Sequence, residues 1–391
     1  MIGLIQQLQR RTPLGWLQLS HQKGKLVVAC AGVVFADVLM LMQLGFQSAL
    51  FNSAVLVHNS VRADVVLLSP QARNLSNMSS FPRRRLYQSM DIPGVQSAEA
   101  LYANMVNWKH PTTQRETSML MLGFDPNSSV FEQPDINQQL NQIKLPNTVL
   151  FDSGSRGDYK AAIAQLEQNQ PLKTEIERHS ITVAGKIRIG SSFGADGHLI
   201  TSDQNFLRLF PRRQASSVSV GLLQLQPGTD AVQTVQALKA HLPNDVQVLT
   251  RQEFIEFERS YWAKNTPIGF IFNLGVTMGF IVGVIIVYQV LSTDVNAHMG
   301  EYATFKAMGY RNRYLLMVVF EEAVILAIIG FIPSIAISAG LYRLTRNATN
   351  LPLYMTVARG IFVLMLTMVM CTLSGAIATR KLQSADPADM F

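Results

Sequence analysis

Residues 267–291 read PIGFIFNLGVTMGFIVGVIIVYQVL and contain no Asp, Glu, Lys, Arg or His. A helix rises about 1.5 Å per residue, so about 20 apolar residues cross roughly 30 Å of hydrocarbon, and a helix keeps its backbone hydrogen bonds to itself where no water can supply them. A buried helix of a soluble core seldom runs beyond about 14 uncharged residues. This stretch therefore reads as a membrane span. Three further runs share its character: Leu26 to Leu50 holds only Asp37, Leu315 to Tyr342 holds only Glu321 and Glu322, and Gly360 to Thr379 holds no charge.

The composition agrees. Of 391 residues, 48% are hydrophobic and 15% charged, against roughly 25% charged in a soluble domain. Mean hydropathy is +0.17. Disordered, collagen-like and ordinary soluble classes are excluded. The first run starts 26 residues in and no Ala-x-Ala site follows it, so it is expected to stay as an anchor. Residues 1–25 carry Arg10, Arg11, Lys23 and Lys25 and no acid, which predicts a cytoplasmic N-terminus. Loops 343–359 and 292–314 differ little in basic charge, so the N-terminal segment decides the orientation. By alternation, residues 1–25 form a cytoplasmic amphipathic segment, 26–50 the first span, 51–266 an extracytoplasmic domain with stalk helices, and 267–291 the second span. Residues 292–314 form a cytoplasmic loop, 315–342 the third span, 343–359 a short outer loop, 360–379 the fourth span and 380–391 a cytoplasmic tail. The expected location is the plasma (inner) membrane, multi-pass, with both termini cytoplasmic and the large domain in the periplasm.

Charge counting removes nucleic acid from the partners. The large domain carries 21 Lys and Arg against 19 Asp and Glu, net +2 of the chain's +7. The excess flanks the spans and reads as membrane-edge charge facing lipid, not a phosphate-binding stripe. Arg83, Arg84 and Arg85 form the only basic run in the domain and read as a solvated face. Cys30 and Cys371 both fall inside spans, leaving the domain without disulfides. Its patterning gives a strand at Ala63 to Ser69, a helix at Phe81 to Met90 and a strand near Val95 to Tyr102. The pattern repeats with a strand at Val218 to Leu225, a helix at Thr229 to His241 and a strand at Asp245 to Leu249. Two βαβ units split by an insertion predict a ferredoxin-like lobe, with residues 105–215 as a second, strand-rich lobe. The fold class is thus four transmembrane α-helices plus a large two-lobed α+β extracytoplasmic domain.

The domain yields no catalytic motif. Ser153-Gly154-Ser155-Arg156-Gly157 misses G-x-S-x-G at its first position, where a nucleophile elbow needs glycine, and reads as a loop. His58, His110, His179 and His198 stand singly, without the i, i+4 spacing of a zinc site. No metal site is expected. No G-x-x-x-x-G-K-[ST] occurs, so no nucleotide cofactor is expected on this chain.

Thr250-Arg251-Gln252-Glu253 is a capping box, starting a helix whose Phe254, Phe257 and Tyr261 form an apolar stripe. Phe51, Ala54, Val55 and His58 extend the first span in the same way. The two extensions read either as a force-transmitting stalk or as short positioning helices. In the second span Gly275, Gly279 and Gly283 line one face and admit close helix approach, within a homodimer or within the chain. Asp37 costs about 2.5–3.5 kcal/mol at a bilayer centre and is expected to face protein or water, hydrogen-bonding a neighbouring helix in the favoured reading and serving a proton or substrate in the other. Glu321 and Glu322 are expected to snorkel towards Arg311 or Arg313, and Pro333 to kink the third span. The inner loop reads as a helix ending at Gly309, with Met299, Tyr302, Phe305 and Met308 needing cover from lipid or a cytoplasmic protein.

At this loop, Glu301-Tyr302-Ala303-Thr304-Phe305-Lys306-Ala307-Met308-Gly309-Tyr310 resembles the E-[IY]-x-x-x-[RK]-A-[ML]-G pattern that follows the second span of MacB/FtsX-type ABC permeases. The terminal Asp386-Pro387-Ala388-Asp389 resembles their Asp-Pro-Ala-x ending, and the order of one span, large domain and three spans is similar throughout. Phe257 to Trp262, Pro267 to Phe270, Val287 to Gln289 and Arg380 to Asp389 resemble cyanobacterial DevC-type permeases. The resemblance implies a MacB-like fold and a homodimeric, non-catalytic permease subunit. Its partners would be a DevA-type ABC ATPase carrying ATP and Mg, a DevB-type membrane fusion protein and a TolC-like outer-membrane channel in tripartite efflux, exporting a glycolipid or other envelope component. It makes Met299, Glu301, Tyr302, Lys306, Met308 and Tyr310 the ATPase-coupling surface. Two alternatives remain open at this point: FtsX-like regulation of an envelope hydrolase, and a membrane-anchored hydrolase, for which no nucleophile, base and orienting group are found.

Overall fold

Each apolar run folds into a helix longer than the run itself: Lys23–Ala54, Ile268–Ala297, Asn312–Thr349 and Val357–Ala378. All four are long and apolar enough to cross a membrane, and they are called here the first to fourth spans. The computed structural model describes residues 23–168, 170–300, 304, 308 and 312–379. It comprises a helical unit containing the spans and an α+β unit covering Ala49–Pro267 and Arg346–Pro352. In the third span the helix runs on through Pro333, whose missing N–H leaves one ladder bond unmade.

The α+β unit begins with α1 (Leu56–Ser60), β1 (Val65–Leu68), β2 (Phe81–Pro82), α2 (Arg84–Ser89), β3 (Val95–Lys109) and β4 (Glu116–Phe124). It continues with α3 (Pro134–Asn137), β5 (Thr148–Asp152), α4 (Lys160–Glu167), β6 (Leu172–Ile176), β7 (His179–Ile187) and β8 (His198–Ser202). Its last elements are α5 (Asp203–Leu209), β9 (Ser217–Val218), β10 (Val220–Leu225), α6 (Ala231–His241), β11 (Gln247–Thr250) and α7 (Arg251–Lys264). One sheet runs β11-β1-β10-β3-β4-β8-β5-β7-β6. Its first four strands are antiparallel and, with α2 and α6, make the expected ferredoxin-like βαββαβ arrangement. β3 does not stop near Tyr102. It continues seven residues to Lys109, pairing with β10 through Leu101 and with β4 over Leu101–Lys109, so one strand belongs to both lobes. The Trp108–Ile176 pair then returns β6 to β3 and closes the second lobe into a ring.

Alternate residues serve opposite faces of this sheet. Val65 and Leu67 join one core with Tyr102, Val106 and Trp108, whereas Val66 and Leu68 join another with Leu101, Ala103 and Phe131. Both faces are covered, which is why the strands read as nearly continuous apolar runs.

The Ser153–Gly157 segment is the loop its sequence suggests, built around a buried carboxylate. Asp152 Oδ1 accepts from Gly154 N at 2.8 Å and Ile189 N at 3.1 Å, and Oδ2 accepts from Gly190 N at 2.8 Å. His198 Nδ1 lies 3.1 Å from Oδ2, and both side chains are sealed from solvent. Ser155 Oγ donates to Asp152 O at 2.6 Å and is buried, so the hydroxyl is spent on the turn. A second buried carboxylate anchors α7: Glu258 accepts from Leu75 N and from Trp262 Nε1, each at 2.8 Å. His58 of α1 lies against it at 3.4 Å and packs on Phe254 with ring centroids 4.2 Å apart. The two extensions thus pack together at this point. Thr250 closes the capping box at the start of α7.

Two predictions follow from these anchors. Asp152→Ala strands three backbone donors and His198, and should cost about 3 kcal/mol, read as a lower thermal midpoint and loss of hydrogen-exchange protection over 148–202. An unchanged midpoint would refute the clamp. Thr250→Ala should cost about 1 kcal/mol of cap. The Thr250 amide holds the Glu253 carboxyl below its ordinary value of 4.5, so the contribution of Glu253 is complete above that pH and is lost as pH falls through the lowered value. A melting series from pH 6 to pH 3 should show the gap between wild type and Glu253→Ala shrinking.

Candidate functional site

The glycine face of the second span is filled from within the chain. A Cβ added at Gly275 would stand 2.6 Å from Gln43 Cδ, at Gly279 2.7 Å from Leu39 Cδ2, and at Gly283 2.8 Å from Ala36 Cβ and 2.1 Å from Met370 Sδ. The contacts step back along the first span turn by turn, the signature of an antiparallel pair, with the fourth span closing on Gly283. Of the two readings open for these glycines, the structure adopts the intrachain one, because close approach to the first span leaves no room on that face for another helix.

Asp37 faces inward, fully buried. Thr367 Oγ1 of the fourth span donates to Oδ1 at 2.6 Å, and Ser334 Oγ of the third span lies 3.3 Å from Oδ2. Each hydroxyl has an alternative acceptor in its own helix, Val363 O at 2.8 Å and Gly330 O at 2.6 Å. The carboxyl therefore gathers three spans at one level, the hydrogen-bonding role expected of it. Ser374 Oγ adds a link to Val284 O at 2.9 Å, and the Tyr342 hydroxyl donates to Leu41 O.

The expectation for the Glu321–Glu322 pair needs correction. Successive helical residues are turned about 100° from each other, so the two do not share a fate. Glu321 is half-buried on the flank, but Glu322 is fully enclosed and both its carboxylate oxygens lack a hydrogen-bond partner among the described residues. It does not snorkel. It lies close enough to the buried Asp294 at the end of the second span to feel its charge, and the His298 ring sits 3.7 Å from Asp294 Oδ2. Arg311 and the side chain of Arg313 lie outside the described residues. Among the described residues no group of His, Cys, Asp and Glu is arranged to hold a metal ion.

Between these two acids runs the 299–310 segment. Of its six coupling residues, Met299 is half-buried and Met308 is 61% exposed, with Met308 N donating to Thr304 O at 3.0 Å. Glu301, Tyr302, Lys306 and Tyr310 lie outside the described residues, as do Gly309 and the Asp386–Asp389 ending. Residues 273–387 match the FtsX-like permease C-terminal family. That match takes in the second, third and fourth spans and the loop joining the first two of these. The α+β unit is similar to the periplasmic region of MacB from Actinobacillus actinomycetemcomitans, at 11% identity and a TM-score of 0.33, covering 49% of this chain and 90% of that one. It is also similar to the extracellular domain of the noncanonic ABC-type transporter YknZ from Gram-positive bacteria, at 11% identity and a TM-score of 0.30, covering 48% of this chain and 99% of that one.

Residue patterns missed the partners of Asp37, because Ser334 and Thr367 sit 297 and 330 residues away and look like ordinary span hydroxyls. The proximity of Asp294 to Glu322 was missed for the same reason.

If Asp37 and Thr367 are a working pair, Thr367→Val leaves a buried acceptor short of a donor, whereas Asp37→Leu with Thr367→Val removes both. A double-mutant cycle on unfolding in mixed micelles should give a coupling of about 0.6–1.7 kcal/mol. Additive effects would dissolve the pair.

Proposed function

We propose that this chain is the permease subunit of an ATP-driven ABC exporter, passing motion from a separate ATPase to its α+β domain. The observation that carries this reading is the FtsX-like permease match over residues 273–387, within which Glu301–Tyr310 supplies the coupling pattern between the second and third spans. ATP and Mg would reside on the ATPase subunit, and the chain itself would catalyse nothing. The basic, acid-free stretch at Arg10, Arg11, Lys23 and Lys25 supports cytoplasmic termini and an extracytoplasmic domain in the inner membrane.

In this reading Met299, Glu301, Tyr302, Lys306, Met308 and Tyr310 form the surface on which the ATPase bears. Closure of the ATPase pushes this lever and shifts the ends of the second and third spans, where Asp294 and Glu322 are buried. The DevC-type segments at Phe257 to Trp262 and Arg380 to Asp389 support the finer version: a homodimer working with a DevA-type ATPase, a DevB-type fusion protein and a TolC-like channel, and exporting a glycolipid or similar envelope component. With the glycine face occupied, a second copy would meet the face of the second span bearing Phe270, Leu274, Met278, Ile281 and Ile285, whose side chains are exposed.

The test is to reconstitute the chain with its ATPase and follow ATP turnover and outward transport together. Glu301→Ala and Tyr302→Ala should each leave at least half of the turnover while transport falls about tenfold. Unchanged transport in both variants would remove the lever from the mechanism. Isolation of the native complex separates the regulatory alternative: a fusion protein and outer channel mean export, a peptidoglycan hydrolase means regulation.

A further inference from the structure

We propose that a cleft on the ferredoxin-like lobe is a binding site for an anionic amphiphile, an organic oxyanion headgroup such as a phosphate ester carried on a short apolar body. The cleft is open to solvent along one side and offers about 570 Å³, inside the range of about 300–1,000 Å³ typical of small-molecule sites. One wall is the β2–β9 pair, with Phe81 opposite Val218 and Pro82 opposite Ser217, continued by Arg83 N donating to Ser216 O at 2.7 Å. The other is the exposed side of α2.

Its chemistry comes from the basic run that sequence alone gave no task. The three arginines separate. Arg85 turns inward, where its Nε and Nη2 grip the Asp245 carboxylate at 2.9 and 2.6 Å and its Nη1 donates to Gln88 Oε1 at 2.6 Å. This guanidinium holds the Asp245 carboxyl below its ordinary range, so Arg85 is committed to the fold. Arg83 and Arg84 line the cleft instead, and among the described residues neither forms an ion pair. Arg83 lies beside the Tyr102 hydroxyl. The acid nearest Arg84 in effect is Asp245, already held by Arg85; Glu99 acts on Arg83 from outside the lining. Among the described residues no Asp or Glu lines the cleft.

The neutral groups fit the same ligand. Ser216 Oγ donates to Gln214 Oε1 at 3.3 Å, which leaves the carboxamide NH2 as a further donor. Two guanidiniums and an amide make a donor set for oxyanion oxygens, with Arg geometry suited to bidentate contact. Tyr87, also in the lining, is 66% exposed, and Met90, just past the end of α2 and outside the lining, is 44% exposed. Large apolar groups left wet beside guanidiniums that form no ion pair among the described residues give a ligand a charged end and a greasy end at one place. This inference stands on the cleft alone and does not depend on any ATPase partner.

The test uses the full chain in phosphatidylcholine nanodiscs and titrates hexyl phosphate by calorimetry, with inorganic phosphate as competitor. Saturable binding is expected, weakened at least tenfold in Arg83→Gln/Arg84→Gln and about threefold in Tyr87→Ala, and unchanged in Arg115→Gln, an exposed arginine outside the cleft. Failure of tenfold excess inorganic phosphate to displace the probe identifies an amphiphile; full displacement with unchanged affinity for Tyr87→Ala would mean that only a free small anion binds and would overturn the apolar half of the site. Absence of saturable binding, or binding that survives Arg83→Gln/Arg84→Gln, overturns the whole. The single variant Arg84→Gln, on a side chain without an ion pair, guards against misfolding, and its melting temperature should equal that of wild type.

Discussion

Inside hydrocarbon a polar atom has no water to fall back on, and the arrangement of the four spans follows from that constraint. Asp37 cannot remain on the first span without donors, so Thr367 and Ser334 must face it. Meeting both fixes the rotation of the first, third and fourth spans about their axes. The glycines then set the distance between the first and second spans, because Ala36, Leu39 and Gln43 occupy the space that side chains would need. Polar contacts choose the faces and small residues choose the separation, a division suited to a medium in which apolar surfaces gain nothing by meeting.

The α+β domain applies the same rule with carboxylates as tools. Asp152 gathers amides from the loops at Gly154 and Ile189–Gly190. Glu258 joins α7 to the Leu75 loop, and Asp64 accepts from Leu225 N at 2.8 Å beside β1. Asp152 and Glu258 are buried acids, each turned inward because the backbone groups around it would otherwise be unpaired, whereas Asp64 holds its amide from an exposed position. Removing the carboxylate therefore costs more than the bonds it makes.

The spans, the two βαβ units and the capping box at Thr250 were legible because they are written in local periods: twenty uncharged residues, alternation, and a Thr followed three positions later by Glu. The extension of β3 to Lys109 was not, since Asn104, Asn107 and Lys109 interrupt its apolar pattern and the pairing that justifies the strand comes from Glu116–Phe124 and Ile176. The different fates of Glu321 and Glu322 illustrate the same limit. Sequence puts both at one depth, but only the packing of neighbouring helices decides which of two adjacent residues is enclosed. Likewise Arg83–Arg85 looked uniform until Asp245, 160 residues away, claimed one of the three.

A lever needs a rigid body to move and a soft place where movement costs little. The rigid body is evident in the domain: because β3 serves both lobes, nine strands form one hydrogen-bonded sheet with cores on both faces, and displacing one lobe against the other would break ladder bonds along a shared strand. The first, third and fourth spans are joined at Asp37. Glu322 is the exception, an enclosed carboxyl whose oxygens find no hydrogen-bond partner among the described residues, set near Asp294 where the second and third spans approach the 299–310 loop. A group that the present packing leaves unsatisfied loses little when that packing changes. On the proposed function, this is where an external ATPase would move the structure at the least cost, at the root of the segment it pushes.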